Sequence, residues 1–543
     1  MAYKNSTRSI YLPVMLALAL IAGIYLGATL NFGNKPVPQG LSLWPERDFN
    51  KINAILNYVE REYVDSVSRK QLVDETVQYM LQELDPHSYY ITAEELQALN
   101  EPLEGNFDGI GVQFLIQQDT VVVITPVAGG PSEKVGIQPG DRIVEVEGNS
   151  IASQGITNRK VMDMLRGERG TEVAVGVKRS GQKDLLDFVI TRGEIPINSV
   201  DVGYMVDEET GYVKISRFSK RTYEEFLATT EALLQQGMRK LILDLRGNGG
   251  GYLEAAKNLV DEFLPANQLI VYTEGRARPR KTYKSTKSSR LLDVELAVLI
   301  DEGSASASEI VAGAIQDNDR GWVIGRRSFG KGLVQEQSDW PDGSATRLTI
   351  ARYYTPTGRC IQKPYDEGIR QYQEDYYNRL QSGELLDADS IDFPDSLKFT
   401  TPRGKVVYGG GGIMPDVFVP ADTAGSTIYL SKLRYQGLIN QYAFEYADKH
   451  RDALSGFGEV ATFRKRFSVS GNLMDEFLQF ADSNGVVPGS GELGRSSAQI
   501  ELQLKALIGR HIWQNKGYFP ILNEQDETVR KAQNVLSESI SNT

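Results

Sequence analysis

The sequence predicts a multidomain α/β protein: a helical N-terminal arm, a β-rich domain, an α/β core with parallel strands and a helical C-terminal region. Three patterns carry that reading. Near the start, apolar residues recur at helical spacing, at Ile52, Ile55, Leu56 and Val59 and then at Leu72, Val77, Met80, Leu81 and Leu84. The period shortens to that of strands in Gly109-Ile-Gly-Val-Gln-Phe114 and Val121-Val-Val-Ile124. Further on, the buried-strand runs Leu241-Ile-Leu-Asp-Leu245 and Leu296-Ala-Val-Leu-Ile300 alternate with helical patterns, as parallel strands with crossover helices do.

Taken in order, the chain opens with Lys4 and Arg8 ahead of an uncharged apolar run over about residues 10–30, long enough to span a bilayer. Positive charge before the run favours an N-terminus left inside and the bulk of the protein exported. We read 1–34 as an uncleaved signal anchor in preference to a cleaved signal peptide, whose apolar core is shorter. Residues 34–40, with Pro36 and Pro38, read as a linker. The arm, 35–104, is expected to serve packing or self-association, with His87 of Asp85-Pro-His-Ser88 as a turn residue. The β-rich domain covers 105–195, and Pro139-Gly-Asp-Arg-Ile-Val-Glu-Val-Glu-Gly148 supplies a turn, a strand and a turn.

The core, 196–424, runs from the strand Tyr212-Val-Lys-Ile-Ser216 through a helix to the strand ending at Leu245, which leads into Arg246-Gly-Asn-Gly-Gly-Gly251. Sites in such folds gather beyond the strand ends. A charged, tyrosine-rich insertion at about 362–405, including Tyr372-Gln-Glu-Asp-Tyr-Tyr377, has no recognisable chemistry. The region 425–543 is expected to be helical and to support packing or assembly, including a homo-oligomer. A net charge of −12 and a pI near 5.1 argue against a general nucleic-acid binder. The lone Cys360 cannot form an internal disulfide.

Chemistry is concentrated in two segments. Asp301-Glu-Gly-Ser-Ala-Ser-Ala-Ser-Glu309 offers serines on tiny neighbours, and Ser328-Phe-Gly-Lys-Gly-Leu-Val-Gln335 offers a lysine between glycines. The three histidines, His87, His450 and His511, all lie far from these serines in sequence, so a serine-lysine pair leads over a serine-histidine-aspartate triad. The near P-loop Gly325-Arg-Arg-Ser-Phe-Gly-Lys-Gly332 has Gly332 where a magnesium-binding hydroxyl is needed. Ser180-Gly-Gln-Lys183 is a chance match in a hairpin turn, and the histidines lack zinc-site spacing. No cofactor and no metal are expected.

The two segments resemble the carboxyl-terminal processing peptidases, the tail-specific serine proteases with a PDZ domain, and the likeness extends over 105–361 and 409–419. The resemblance implies that Ser306 is the nucleophile, Lys331 the general base and Gln335 the residue that orients the lysine. It makes 105–195 a PDZ-like domain. There Gly109, Ile110, Gly111 and Val112 of Phe107-Asp-Gly-Ile-Gly-Val112 would hold a substrate C-terminus, and Arg166 is read either as a sensor of it or as a simple surface arginine. An acidic position in the family corresponds to Asp317, expected to fix local structure. The implied function is that of a serine endopeptidase of the cell envelope, anchored on the exported (periplasmic) side of the inner membrane. It would recognise the free C-termini of protein or peptide substrates and cleave through an acyl-enzyme. The alternative is a non-catalytic PDZ protein that binds peptides or apolar ligands; a crotonase-like enzyme acting on thioesters would leave the PDZ-like stretch unexplained.

The residues suit that chemistry. Gly303, Ala305 and Ala307 let the chain turn tightly into a helix carrying Ile310, Val311, Ala314 and Ile315, so the serine sits at a helix N-terminus. The Ala307 N–H can then face a developing oxyanion, with a second donor from 247–251, for which the family likeness favours Gly250. Ser304 is expected to cap the helix, and Ser304 and Ser308 are the rival serines. If 332–337 is a strand, Lys331, Leu333 and Gln335 share one face. A lysine that accepts a proton must be neutral, which burial beside Phe329 and Leu333 would favour.

Overall fold

Alternation along the central strands decides how the core is layered. Val213, Ile215, Leu241, Leu243, Leu296, Val298 and Ile300 pack with Phe226, Leu259 and Val311 from the helices Thr222–Gln235, Leu253–Asp261 and Ala307–Asp317. Their neighbours Tyr212, Ile242, Ala297 and Leu299 join a second cluster with Val529, Ala532 and Leu536 of the helix Glu527–Glu538. Side chains of successive strand residues point to opposite faces, so each strand feeds both clusters. Complete burial of each such aliphatic side chain contributes about 1.5–3 kcal/mol.

The sheet between these layers has six strands, in the order Val200–Met205, Thr210–Ile215, Lys240–Asp244, Glu295–Ile300, Trp322–Gly325 and Val417–Phe418. All neighbours are parallel except the first pair. A second, antiparallel sheet is built on the strand Ala345–Tyr354, which pairs with Leu333–Asp339, Leu269–Gly275 and Tyr89–Ile91. The last of these comes from the region read as a purely helical arm.

The structure is a computed structural model that describes residues 15–23, 50–286, 289–391 and 393–538. It comprises two units, 1–73 and 74–543. In the first, the helix Lys51–Glu62 begins at Asn50, whose side chain accepts a hydrogen bond from the Asn53 amide at 3.0 Å. Residues 15–23 are helical; the remainder of the predicted anchor and the predicted linker at 34–40 lie outside the described residues. Among the described residues no helix is long and apolar enough to cross a membrane.

Within the second unit, the β-rich domain is a sheet ordered Val112–Gln117, Thr120–Pro126, Arg142–Val146, Glu172–Lys178 and Leu186–Thr191, with the helix Asn158–Leu165 packed on it through Val161 and Leu165. Val112–Gln117 is an edge strand, paired on one side only. The helices Ile428–Tyr435, Leu438–Lys449, Gly471–Ser483 and Glu492–Trp513 bury Leu433, Ile439, Phe477, Ile500 and Leu504 in a core of their own. The helical C-terminal region is therefore present as expected, but its last helix, Glu527–Glu538, completes the α/β core.

Candidate active site

Three serines compete for the reactive position, and their surroundings separate them. Ser304 is buried; its hydroxyl donates to the Leu245 carbonyl at 2.9 Å and accepts from the Asp301 amide at 2.9 Å. It thus fastens a turn rather than capping the helix as expected. Ser308 is also buried and donates to the Asn248 carbonyl at 2.9 Å. Ser306 is half-buried; its hydroxyl donates to no group among the described residues and faces the Glu309 amide as the acceptor of a capping box. It stands at the N-terminus of the helix Ala307–Asp317 with φ 54° and ψ −110°. Positive φ costs a residue with a β-carbon about 1–3 kcal/mol and persists only where the surroundings over-determine it.

Those surroundings begin with Glu309, which is fully buried. One of its carboxylate oxygens accepts from the amides of Ser306 (2.8 Å) and Lys331 (2.9 Å); the other accepts from the Gly330 amide (2.7 Å) and the Ser328 hydroxyl (2.5 Å). A single side chain therefore ties the serine segment to the lysine segment. Burial raises the Glu309 carboxyl above its ordinary value, and these four hydrogen bonds oppose the rise. Tyr353 makes a second tie: its hydroxyl donates to the carbonyls of Lys331 at 2.7 Å and Ser306 at 3.1 Å. Sequence reasoning passed over Glu309, although its place three residues after Ser306 is the signal of a carboxylate returning to a helix N-terminus.

The amine of Lys331 donates to Gln335 Oε1 at 2.9 Å. Leu333, 3% exposed, lies between them on the strand Leu333–Asp339. Burial lowers the lysine pKa from its ordinary value, while the negative charges of Asp85 and Glu309 pull it back up. Gln335 is itself held, its amide nitrogen donating to the main-chain carbonyl of His87. His87 also lines the cavity beside the lysine, so the expectation of a turn residue remote from the site is incomplete. The Asp85-Pro-His-Ser turn is real, with Asp85 accepting from the amides of His87 and Ser88 at 2.8 Å each. Loss of water around the ring, aided by the nearby Lys331 charge, pushes His87 down to about 4.

That cavity encloses about 680 Å³ and is lined by Gly249, Ala305, Phe329 and Lys331 from the core and by Tyr372 and Tyr376 from the insertion. The glycine loop approaches the serine closely: a β-carbon on Gly250, at φ 99°, would lie 2.8 Å from Ser306 Cβ and 2.9 Å from the Ala307 nitrogen. The Gly250 N–H, however, donates to Asn248 Oδ1 at 2.8 Å, so it is not the open donor that the sequence led us to expect. A buried asparagine satisfies the nearest amide. The Gly249 amide has no partner among the described residues, and neither does that of Ala307, which opens its helix. Asp317 has the expected structural place, fully buried against Arg359 at 2.6 Å.

In the β-rich domain, Gly109 pairs with Gly193 at the end of the strand Asn106–Gly109, and Val112 begins the edge strand. Between them the amides of Ile110 and Gly111 have no partner among the described residues, and the Ile110 side chain is buried in the domain core. Arg166 lies against this loop, over the Phe107 ring at 4.5 Å, but its guanidinium is paired with Glu101 at 2.7 Å. The structure thus gathers Ser306, Ala307, Lys331, Gln335 and Gly250 at one place and Gly109, Ile110, Gly111, Val112 and Arg166 at another.

Comparison with known families matches residues 209–371 to peptidase family S41, residues 109–189 to the PDZ domain, and residues 429–514 to a family of unknown function, DUF8443. The carboxy-terminal processing protease CtpB of Bacillus subtilis (strain 168) is 34% identical over 380 residues, covering 68% of this chain and 78% of that protein. A carboxy-terminal-processing protease of Bartonella bacilliformis is 33% identical over 347 residues, covering 63% of this chain and 79% of its own length. Among solved structures, a photosystem II D1 C-terminal processing protease matches with 27% identity and a TM-score of 0.36, over 69% of this chain and 87% of that one.

Proposed function

This chain belongs to the carboxy-terminal processing proteases of peptidase family S41, serine-type peptidases, and carries a PDZ domain; from that premise we propose that it cleaves protein tails by a Ser306–Lys331 mechanism. The neutral amine of Lys331 takes the proton from Ser306 Oγ as the oxygen attacks the scissile carbonyl. The resulting oxyanion is held by the Ala307 amide and a second amide of the glycine loop, with Gly249 better placed than Gly250 while Asn248 keeps its hydrogen bond. The lysine ammonium then protonates the departing amine, leaving an acyl group on Ser306. Water attacks that ester as Lys331 takes its proton, and the lysine ammonium returns that proton to the departing Ser306 Oγ, releasing the acid product and restoring the serine hydroxyl and the neutral amine. Gln335 keeps the amine directed throughout.

One observation supports this reading above the others: a buried lysine whose amine is held by Gln335 shares a single carboxylate, Glu309, with the one serine of three whose hydroxyl proton is donated to no group among the described residues. The glutamine accepts from the amine and leaves its lone pair to act on the serine proton. Substrate tails are proposed to add as a strand to the open edge Val112–Gln117, their carboxylates meeting the amides of Ile110 and Gly111. Arg166 joins that contact only by leaving Glu101. An anchored, exported location is proposed from Lys4, Arg8 and the apolar run after them.

The test is cleavage of an unstructured polypeptide with an apolar C-terminus. Ser306→Ala and Lys331→Ala should each reduce kcat by at least about 10³-fold while the Tm stays near wild type, because either change removes a member of one catalytic unit. Wild-type turnover in either folded variant contradicts the assignment.

A further inference from the structure

The insertion at 362–405 is chemically silent in sequence, yet it folds against the lysine. Its helix Ile369–Gln381 places Tyr372 and Arg379, 7% and 3% exposed, along the wall of the cavity that also contains Lys331. Arg379 reaches the main chain just before the lysine, donating to the Ser328 carbonyl at 2.9 Å and the Phe329 carbonyl at 3.3 Å. The Tyr372 hydroxyl meets His87 Nε2 at 2.7 Å. Its ring packs edge-on against His87 and Phe329, at 5.2 and 5.9 Å between centroids. The chain of contacts then runs from the His87 carbonyl to the Gln335 amide nitrogen, and from Gln335 Oε1 to the Lys331 amine.

We propose that the insertion helix positions the general base: Arg379 holds the backbone that leads into Lys331, and Tyr372, through His87 and Gln335, holds its amine. Tyr372 touches neither the substrate's reacting atoms nor the lysine amine, so it is a positioning residue. The arrangement gives a physical reason for the insertion's placement. A lysine side chain has four rotatable bonds, and a base must stay within about 0.5 Å of its working place to be efficient. Gln335 alone fixes one end of one hydrogen bond; the His87–Tyr372 contact fixes Gln335. The charges near the amine are those of Asp85, Glu309 and Arg347, and those near the His87 ring are Lys331, Asp85 and Lys363. Tyr372→Phe removes none of them, so its effect on the lysine reports position and hydration rather than a lost charge.

This inference rests on the serine-lysine reading, and the experiment separates the two. Full-length wild type, Tyr372→Phe, Gln335→Ala and the double variant are compared over a range of pH with the same unstructured polypeptide. Tyr372→Phe should lower kcat about tenfold with KM within about twofold, and the alkaline ionisation in kcat should move up toward that of an exposed lysine. The double variant should be no slower than Gln335→Ala alone, since both changes break one chain. Losses that multiply in the double variant, or an unmoved ionisation in Tyr372→Phe, overturn the inference. If Tyr372→Phe does not fold, His87→Phe takes its place in the same cycle with the same two criteria. Full activity in Lys331→Ala would instead overturn the serine-lysine reading.

Discussion

Ser306 and Lys331 reach the same site by different means. The serine is placed by its own neighbourhood: a tight turn, a helix beginning at Ala307, and Glu309 three residues on returning to the serine amide. The lysine depends on distant parts of the chain, from the Asp85-Pro-His-Ser turn through Gln335 to the insertion helix. The contact between His87 and Gln335 alone spans 248 positions. The serine is placed mainly by local structure, whereas the lysine is placed by tertiary contacts.

Glu309 is where the two meet, and its removal should have the largest effect. Glu309→Ala leaves the buried Gly330 amide and Ser328 hydroxyl without their acceptor and releases the amides of Ser306 and Lys331. We expect a loss of about 3 kcal/mol in stability by chemical denaturation, together with a fall in kcat of about 10³-fold. Near-wild-type turnover in this variant would mean that serine and lysine are held independently, and the comparison would fail.

The local half was legible in the sequence and the tertiary half was not. Tiny residues before an apolar helical run announce the turn and helix around Ser306, and the strand expected over 332–337 is found as Leu333–Asp339, with Lys331 just before it and its amine on Gln335. The buried runs at Leu241 and Leu296 likewise announce the parallel strands. Contacts between remote segments leave no such periodic trace. That is why His87 read as a turn residue, why the insertion read as inert, and why the amide of Gly250 read as open although the side chain of Asn248 occupies it. The final helix was taken with the C-terminal region for the same reason: an amphipathic pattern tells that a face is buried, not against what, and Val529 and Leu536 turn out to cover the core sheet. Arg166, read as a sensor or as a simple surface arginine, is paired with Glu101 of the helix Ala93–Glu104.

A smaller effect sharpens the comparison from the side of recognition. The PDZ loop has two amides, Ile110 and Gly111, without partners among the described residues, whereas at the serine turn the hydroxyls of Ser304 and Ser308 are both donated within the protein. Amidating a substrate's C-terminus should therefore weaken binding by about 1–3 kcal/mol, seen as a raised KM with kcat little changed. Equal kcat/KM for free and amidated substrates would sever tail recognition from cleavage while leaving the chemistry intact.

The central claim is that Lys331 is the base, and the pH dependence of kcat/KM tests it most directly. Burial lowers the lysine's pKa, so the neutral amine that accepts the serine proton is populated at lower pH than in an exposed lysine. Activity should be lost as pH falls below that ionisation and should rise to a plateau as pH climbs through it, still short of the ordinary lysine value of about 10.4. In Lys331→Ala that rise should vanish along with the activity. A profile governed by a group titrating near the ordinary histidine value of about 6.5, and preserved in Lys331→Ala, would contradict the account.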